Sequence, residues 1–325
     1  MQLENGDKLR KSLIVGINYY EKISHLYGCV NDAYSLKSVL ERHSDGTLNF
    51  GIKLLVGTGP NELVNRKSLK DQLIELFRDD SEIALFYFAG HGYIENSSGY
   101  LITSECESGD DGLSLDEVLK IANESKAKNK IIILDSCHSG IAGNPSSLSD
   151  ASLLTEGMTI LTASSDYQYA SEEDGQGIFT CLLVDALNGS AANLVGDITP
   201  GSIYAHIDQS LGPWDQRPLF KTNVKTFTSL RKVQPPILLS DLRKITELFD
   251  LPNLELQLDP SFEPTAELKN QNNEDKFAIL QKFNRINLVI PVGEDHMYYA
   301  AINSKSCKLT VLGIHYWNLI KKDKL

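Results

Sequence analysis

"IIILDSCHSG", residues 131–140, runs four apolar residues into an acid, a serine, a cysteine and a histidine. A buried strand that stops on reactive side chains delivers them to the carboxyl edge of its sheet, where open α/β folds collect their functional groups. A second stretch, "LFYFAGHG", residues 85–92, starts 46 residues upstream and has the same design. An apolar run passes into small residues and then a lone histidine, His91.

Outward from these two strands, strand-like runs alternate with helical patterns. Residues 12–17, 52–56, 83–88, 130–134 and 158–163 have the composition of strands, and residues 218–220 of a short last one. Between them, residues 31–42, 68–77, 178–187 and 200–210 carry helical spacing. Asn31 or Asp32 suits the N-terminus of the first helix. Ser114 opens another helix with a Ser-x-x-Glu capping box. This order predicts an α/β fold with a mostly parallel, doubly wound sheet flanked by helices. "KVQPPI", residues 232–237, has the composition of a linker. It divides the chain into residues 1–232 and a smaller α+β module, residues 236–325. In that module, residues 240–249 and 312–321 have helical patterns and residues 250–275 a loop-like composition. Residues 286–292 and 297–302 look like a strand pair.

Composition narrows the function. The net charge of −12 argues against nucleic acid as a partner. Its distribution is more telling. No Lys or Arg occurs from residue 131 to 216, where there are 11 acids, whereas residues 235–325 are nearly neutral. A negative field over the first part of the chain attracts basic ligands. No apolar run approaches the ~18 residues that cross a membrane, and "MQLENGDKLRKS" has no signal-peptide core. Five dispersed cysteines without a CxxC pair are expected to be reduced thiols in a cytoplasmic protein.

If the two motif strands are neighbours, His91 and Cys137 reach one crevice. A thiol of reference pKa near ~8.5 is mostly protonated at neutral pH, and a nearby imidazole can take that proton and return it to a leaving amine. Gly90 and Gly92 allow close backbone approach, and the N–H groups of Gly92 and Cys137 can form an oxyanion hole. A lone buried cysteine or a lone turn histidine is the ordinary alternative for either motif taken singly.

"YFAGHGY" and "LDSCHSG" resemble the two catalytic motifs of caspase-like cysteine peptidases, particularly the metacaspase and bacterial caspase-family branch. "GCVNDA" (residues 28–33), "GQGIFTCLLVDALNG" (175–189) and "QRPLF" (216–220) are similar to further parts of that branch, so the resemblance covers roughly residues 10–225. It implies endopeptidase activity on protein or peptide substrates, with His91 as base and Cys137 as nucleophile. In that branch an acidic pocket takes Arg or Lys at P1, whereas caspases proper cut after Asp. The matching pocket positions here are Asp32, Asp135 and Cys29, with Asp166 a weaker third acid. Ala89 departs from the branch, which tends to have serine there. Many metacaspases also require calcium. Glu105, Glu107, Asp110 and Asp111 cluster in sequence, but the positions matching the family's ligands include Cys106 and Asn144, which are not carboxylates. No cofactor is therefore expected, with calcium kept as the less supported alternative, and the cluster is expected to be a solvated loop.

In residues 236–325, Arg285, His296, Tyr298 and Trp317 could line a sensor pocket for a small nucleotide-like activator; packing in a core is the plainer reading. The resemblance places such modules as gates on peptidases that serve in bacterial antiphage or cell-death responses. A caspase-like scaffold that acts by binding and assembly, without proteolysis, is the rival to a signal-activated effector.

Overall fold

The computed structural model describes residues 9–95, 98–136, 154–163, 172–173, 176–212, 217–267 and 269–325. Cys137, Asn144 and Asp166 lie outside the described residues. The chain divides into two compact units, Met1–Gln234 and Pro235–Leu325.

The first unit is built on a six-stranded sheet. Its strands are β1 (Arg10–Ile17), β2 (Gly51–Gly57), β3 (Ile83–Ala89), β4 (Asn129–Asp135), β5 (Met158–Thr162) and β6 (Leu219–Asn223), in the order β6-β5-β4-β3-β1-β2. All neighbours are parallel except β6, which runs antiparallel along β5. All seven residues of β3 are buried, as a strand covered on both faces must be. Its side chains alternate between two cores. Phe86 and Phe88 join one with α2 (Arg66–Phe77) and α3 (Leu115–Glu124). Leu85, Tyr87 and Ala89 join the other with α1 (Cys29–Leu40), α4 (Ile178–Asp185) and α5 (Pro200–Ser210).

Close packing fixes α1 on the sheet. A Cβ on Gly16 would lie 2.3 Å from the Cys29 carbonyl oxygen and 2.8 Å from the Ala33 Cβ. Gly16→Ala must push α1 off β1, and overpacking of this kind costs about 1–3 kcal/mol. A lowered Tm by thermal denaturation is the expected result; an unchanged Tm would contradict this packing.

Two helix starts differ from the sequence expectation. Neither Asn31 nor Asp32 caps α1. The helix begins after Gly28, which makes no side-chain cap bond, and the Val30 N–H is instead taken by the Asn18 side chain at 3.0 Å. Ser114 caps α3 by accepting from the Asp116 N–H. Glu117 turns out to Lys70 and Arg66, because two cations on α2 outcompete a return bond to one N–H.

The second unit holds a three-stranded antiparallel sheet, β7 (Leu256–Gln257), β8 (Val289–Val292) and β9 (Ser306–Leu309), in the order β7-β9-β8. It is flanked by α6 (Gln271–Arg285) and α7 (Val311–Lys321). The helix expected over residues 240–249 is broken at Lys244 into Leu239–Arg243 and Ile245–Leu248. Met297–Ile302 is a helix, not a strand, and β8 pairs with β9 instead. Met297, Ala300 and Ala301 are the buried residues of that helix, a spacing of three and four that fits helical periodicity. The long loop expected over residues 250–275 contains β7 and ends early, because Asn270 caps α6 through the Asn273 N–H.

Candidate active site

The parallel register of β3 and β4 sets Ala89 beside Asp135, and β1 brings Gly16 beside Ala89. The Gly90 N–H donates to the Asp135 carbonyl at 3.3 Å, so the two strands stay tied one step beyond the ladder. This edge adjoins the point between β1 and β3 where the strand order reverses, the position at which open α/β sheets form a crevice.

His91 is held by the segment that follows β1. Its N–H donates to the Tyr20 hydroxyl at 2.8 Å, and its ring packs on the Tyr20 ring with centroids 4.7 Å apart. The imidazole Nε2 lies 2.9 Å from the Ser24 carbonyl oxygen. A carbonyl can only accept, so Nε2 carries the hydrogen and Nδ1 keeps the basic lone pair. Tyr20 is buried and His91 half-buried, so the imidazole rests against a fixed ring. Sequence reasoning did not find Tyr20 or Ser24. A contact made through a backbone carbonyl leaves no mark in the residue type.

Gly92 opens a small antiparallel sheet made of Gly92–Glu95, Ser98–Leu101 and Leu113–Ser114. It pairs with Leu101, and the Ile102 N–H donates to the His91 carbonyl. That bond makes Gly92–Leu101 a pair of the non-hydrogen-bonded kind. The ladder therefore does not use the Gly92 N–H, which suits the oxyanion role expected of it.

Asp32 and Asp135 converge from different elements. Asp32 is on α1 and 2% exposed; Asp135 ends β4 and is 7% exposed. Both face the N-terminus of α4. The Gly177 N–H donates to the Asp32 carboxylate at 3.1 and 3.3 Å. The Thr180 hydroxyl donates to Asp135 Oδ2 at 2.6 Å. A Cβ on Gly177 would lie 2.7 Å from Asp135 Oδ2 and 3.1 Å from Asp32 Oδ2. Both carboxylates thus crowd one point, which only a glycine leaves open. Two acids this close repel, and the α4 N-terminus with its N–H and O–H donors offsets part of that repulsion. Cys29, the first residue of α1, is 6% exposed and packs in the adjoining core. Ala89 places a methyl where the resemblance has a hydroxyl. Here the hydroxyl that reaches Asp135 belongs to Thr180.

Tyr87 completes this cluster. Its hydroxyl is 2.6 Å from Thr180 Oγ1. Burial, then Asp135, Asp32 and Cys29, raise its pKa well above the ordinary tyrosine value.

The residue match identifies this architecture. A family model described as the caspase domain matches residues 9–245. The chain belongs to the caspase domain family. Among curated relatives, Metacaspase-1 of Plasmodium falciparum is 30% identical over 148 residues, covering 40% of this chain and 24% of that protein. Metacaspase-6 of Arabidopsis thaliana is 29% identical over 145 residues, covering 40% and 38%. The chain thus spans less than half the length of these relatives. Caspase-1 of Spodoptera frugiperda shares the fold, with a TM-score of 0.51 and 14% identity, covering 70% of this chain and 92% of that one. A Geobacter sulfurreducens protein gives the same TM-score at 17% identity, covering 70% and 98%. The caspase-like sheet flanked by helices is therefore the fold of the first unit, and most of the second unit lies beyond the family match.

Two of the acids considered for calcium, Glu105 and Asp111, turn to neighbouring backbone donors. Asp111 accepts from the N–H groups of Glu107, Ser108 and Gly109, and Glu105 accepts from the Arg66 N–H. Among the described residues, no three His, Cys, Asp or Glu side chains converge as a metal site would require. No described helix is long and apolar enough to cross a membrane.

In the second unit, Trp317 is a core residue. Its indole N–H donates to the Phe249 carbonyl at 2.7 Å, and it is 7% exposed. Arg285, His296 and Tyr298 are exposed. Among the described residues, no hydrogen bond or ring contact joins Trp317 or Arg285 to His296 and Tyr298. His296 and Tyr298 instead neighbour Tyr299, at ring centroid distances of 6.2 and 5.2 Å.

Proposed function

We propose that this caspase-family chain is a cysteine endopeptidase that cuts after Arg or Lys, with His91 as base and Cys137 as nucleophile. One observation carries the reading: the register that sets Ala89 beside Asp135. His91 and Cys137 each follow that pair by two residues in sequence. In the proposed reaction, Nδ1 of His91 takes the thiol proton and the sulfur attacks the scissile carbonyl. The Gly92 and Cys137 N–H groups receive the oxyanion. The imidazolium then gives its proton to the leaving amine, and a water deprotonated by His91 releases the acyl group.

The buried Asp32–Asp135 pair supports a basic P1 residue. Charge-assisted bonds to a guanidinium are worth roughly 1.5–3 kcal/mol each, and a second acid in the same pocket excludes an acidic P1 side chain. The run without Lys or Arg from residue 131 to 216 fits this preference. An enzyme that requires them has no site of its own there, so activation proceeds without a cut in that run.

The second unit is proposed to gate the peptidase in response to a nucleotide-like metabolite, as an effector in a bacterial defence or cell-death pathway. Its compactness and its exposed His296, Tyr298 and Tyr299 support a separate binding role; the pathway rests on the resemblance.

Fluorogenic peptides that differ only at P1 test the proposal, assayed with and without a nucleotide panel. Arg and Lys peptides are expected to be cut at least about 100-fold faster than Asp peptides, the discrimination that two such bonds supply. A faster Asp peptide would overturn the pocket assignment.

A further inference from the structure

Thr180 reads in sequence as one more buried residue of an apolar helix. The structure gives its hydroxyl two partners at 2.6 Å each, Asp135 Oδ2 and the Tyr87 hydroxyl. The directions of both bonds are fixed by chemistry. A carboxylate accepts, so Thr180 donates to Asp135 and must accept from Tyr87. Tyr87 keeps its proton, since burial and the two acids oppose its ionisation. Tyr87 is fully buried on β3, and Thr180, on α4, is 1% exposed. Each side chain is therefore held in few rotamers, away from bulk solvent.

We infer that Tyr87 and Thr180 are positioning residues for basic-P1 recognition: a buried hydroxyl relay that orients the Asp135 carboxylate toward the substrate cation. This rests on the proposed Arg/Lys specificity. Neither residue touches substrate in this scheme; both act through Asp135. The relay ties β3, the strand that leads to His91, to α4 and to the end of β4. A substrate guanidinium then meets an oxygen already aimed, without the entropy loss of ordering it on arrival. The relay also favours the charged form of Asp135, because a hydrogen bond donated to a carboxylate stabilises the anion. Among the described residues, Asp135 and Asp32 crowd one point at Gly177, and both carboxylates, with Cys29, act on the Tyr87 hydroxyl.

The test uses the full chain and four variants: Thr180→Val, Thr180→Ser, Tyr87→Phe, and the double variant Tyr87→Phe/Thr180→Val. The double variant removes donor and acceptor together, so no buried hydroxyl is stranded if Thr180→Val alone folds poorly. Three quantities are measured: KM and kcat on an Arg-P1 peptide, the alkylation rate of Cys137 by iodoacetamide, and binding of agmatine, a bare guanidinium, by thermal shift. Thr180→Val and the double variant are expected to raise KM and weaken agmatine binding about 10- to 100-fold, the worth of one charge-assisted bond. Their alkylation rate should stay at the wild-type value. Thr180→Ser should restore both affinities, and Tyr87→Phe should lose part of them. The acid limb of the pH profile should move to higher pH in Thr180→Val and return in Thr180→Ser.

Wild-type affinity in folded Thr180→Val or double-variant protein would overturn the relay while leaving the P1 assignment standing. So would a serine variant as weak as the valine one, which would mean that shape and not the hydroxyl matters. A wild-type protein that neither binds agmatine nor cuts after Arg would overturn the specificity beneath it, and the relay with it.

Discussion

Cys137→Ala and His91→Ala proteins are each expected to lose hydrolysis of Arg-terminated peptides by on the order of 10³–10⁶-fold while keeping the wild-type Tm. Losing the nucleophile leaves only binding and the oxyanion donors, and losing the base leaves a thiol that is mostly protonated at neutral pH. The two losses should not add, because each residue needs the other. His91 is suited to its part by the bond from Nε2 to the Ser24 carbonyl, which holds one tautomer. Steady-state kinetics on the purified single and double variants measure this. Turnover by Cys137→Ala near the wild-type rate would remove the nucleophile assignment.

The second large effect concerns the acids. Asp32→Ala or Asp135→Ala should lower kcat/KM for Arg peptides by about 10²–10³-fold, because a desolvated cation loses a charged partner and the remaining acid binds it alone. Alkylation of Cys137 by a small reagent should change far less. The two variants are expected to differ in stability. Asp135 accepts the Thr180 hydroxyl and Asp32 the Gly177 N–H, so either truncation strands a buried donor, which costs about 1–3 kcal/mol. The hydroxyl can turn back to another acceptor, whereas the backbone N–H cannot. Asp32→Ala should therefore show the larger fall in Tm. Equal loss of alkylation and of peptide cleavage would place these acids in the scaffold and not in specificity.

The sheet was legible because its strands are apolar runs bounded by small and polar residues. "IIILD" and "LFYFA" read as buried strands whose adjacency the sequence left open, and the observed register of β3 and β4 sets them side by side. The convergence of Asp32 and Asp135 was legible through the resemblance, in which the matching positions share one pocket. What lay beyond reading were contacts made by backbone atoms or across distant elements. Ser24 acts through its carbonyl, which any residue possesses. Asn18 caps α1 across 12 residues, so no local pattern marked it and Asp32 looked like a cap. Thr180 and Tyr87 are 93 residues apart and each looks like core. Met297–Ile302 misled because two tyrosines outweighed its short helical pattern, Met297, Ala300 and Ala301. A six-residue helix holds too few turns for its period to stand out.

The most direct test of a thiol peptidase with an acidic pocket for a basic P1 residue is covalent capture. The protein is treated with a peptidyl acyloxymethyl ketone bearing Arg at P1, and in parallel with its Asp counterpart. The adducts are then followed by intact mass and located by peptide mapping. The expected result is a single adduct on Cys137, formed much faster from the Arg probe, missing in Cys137→Ala and slowed in His91→Ala. Labelling at Cys29, Cys106, Cys181 or Cys307 in place of Cys137, or faster capture by the Asp probe, would contradict it.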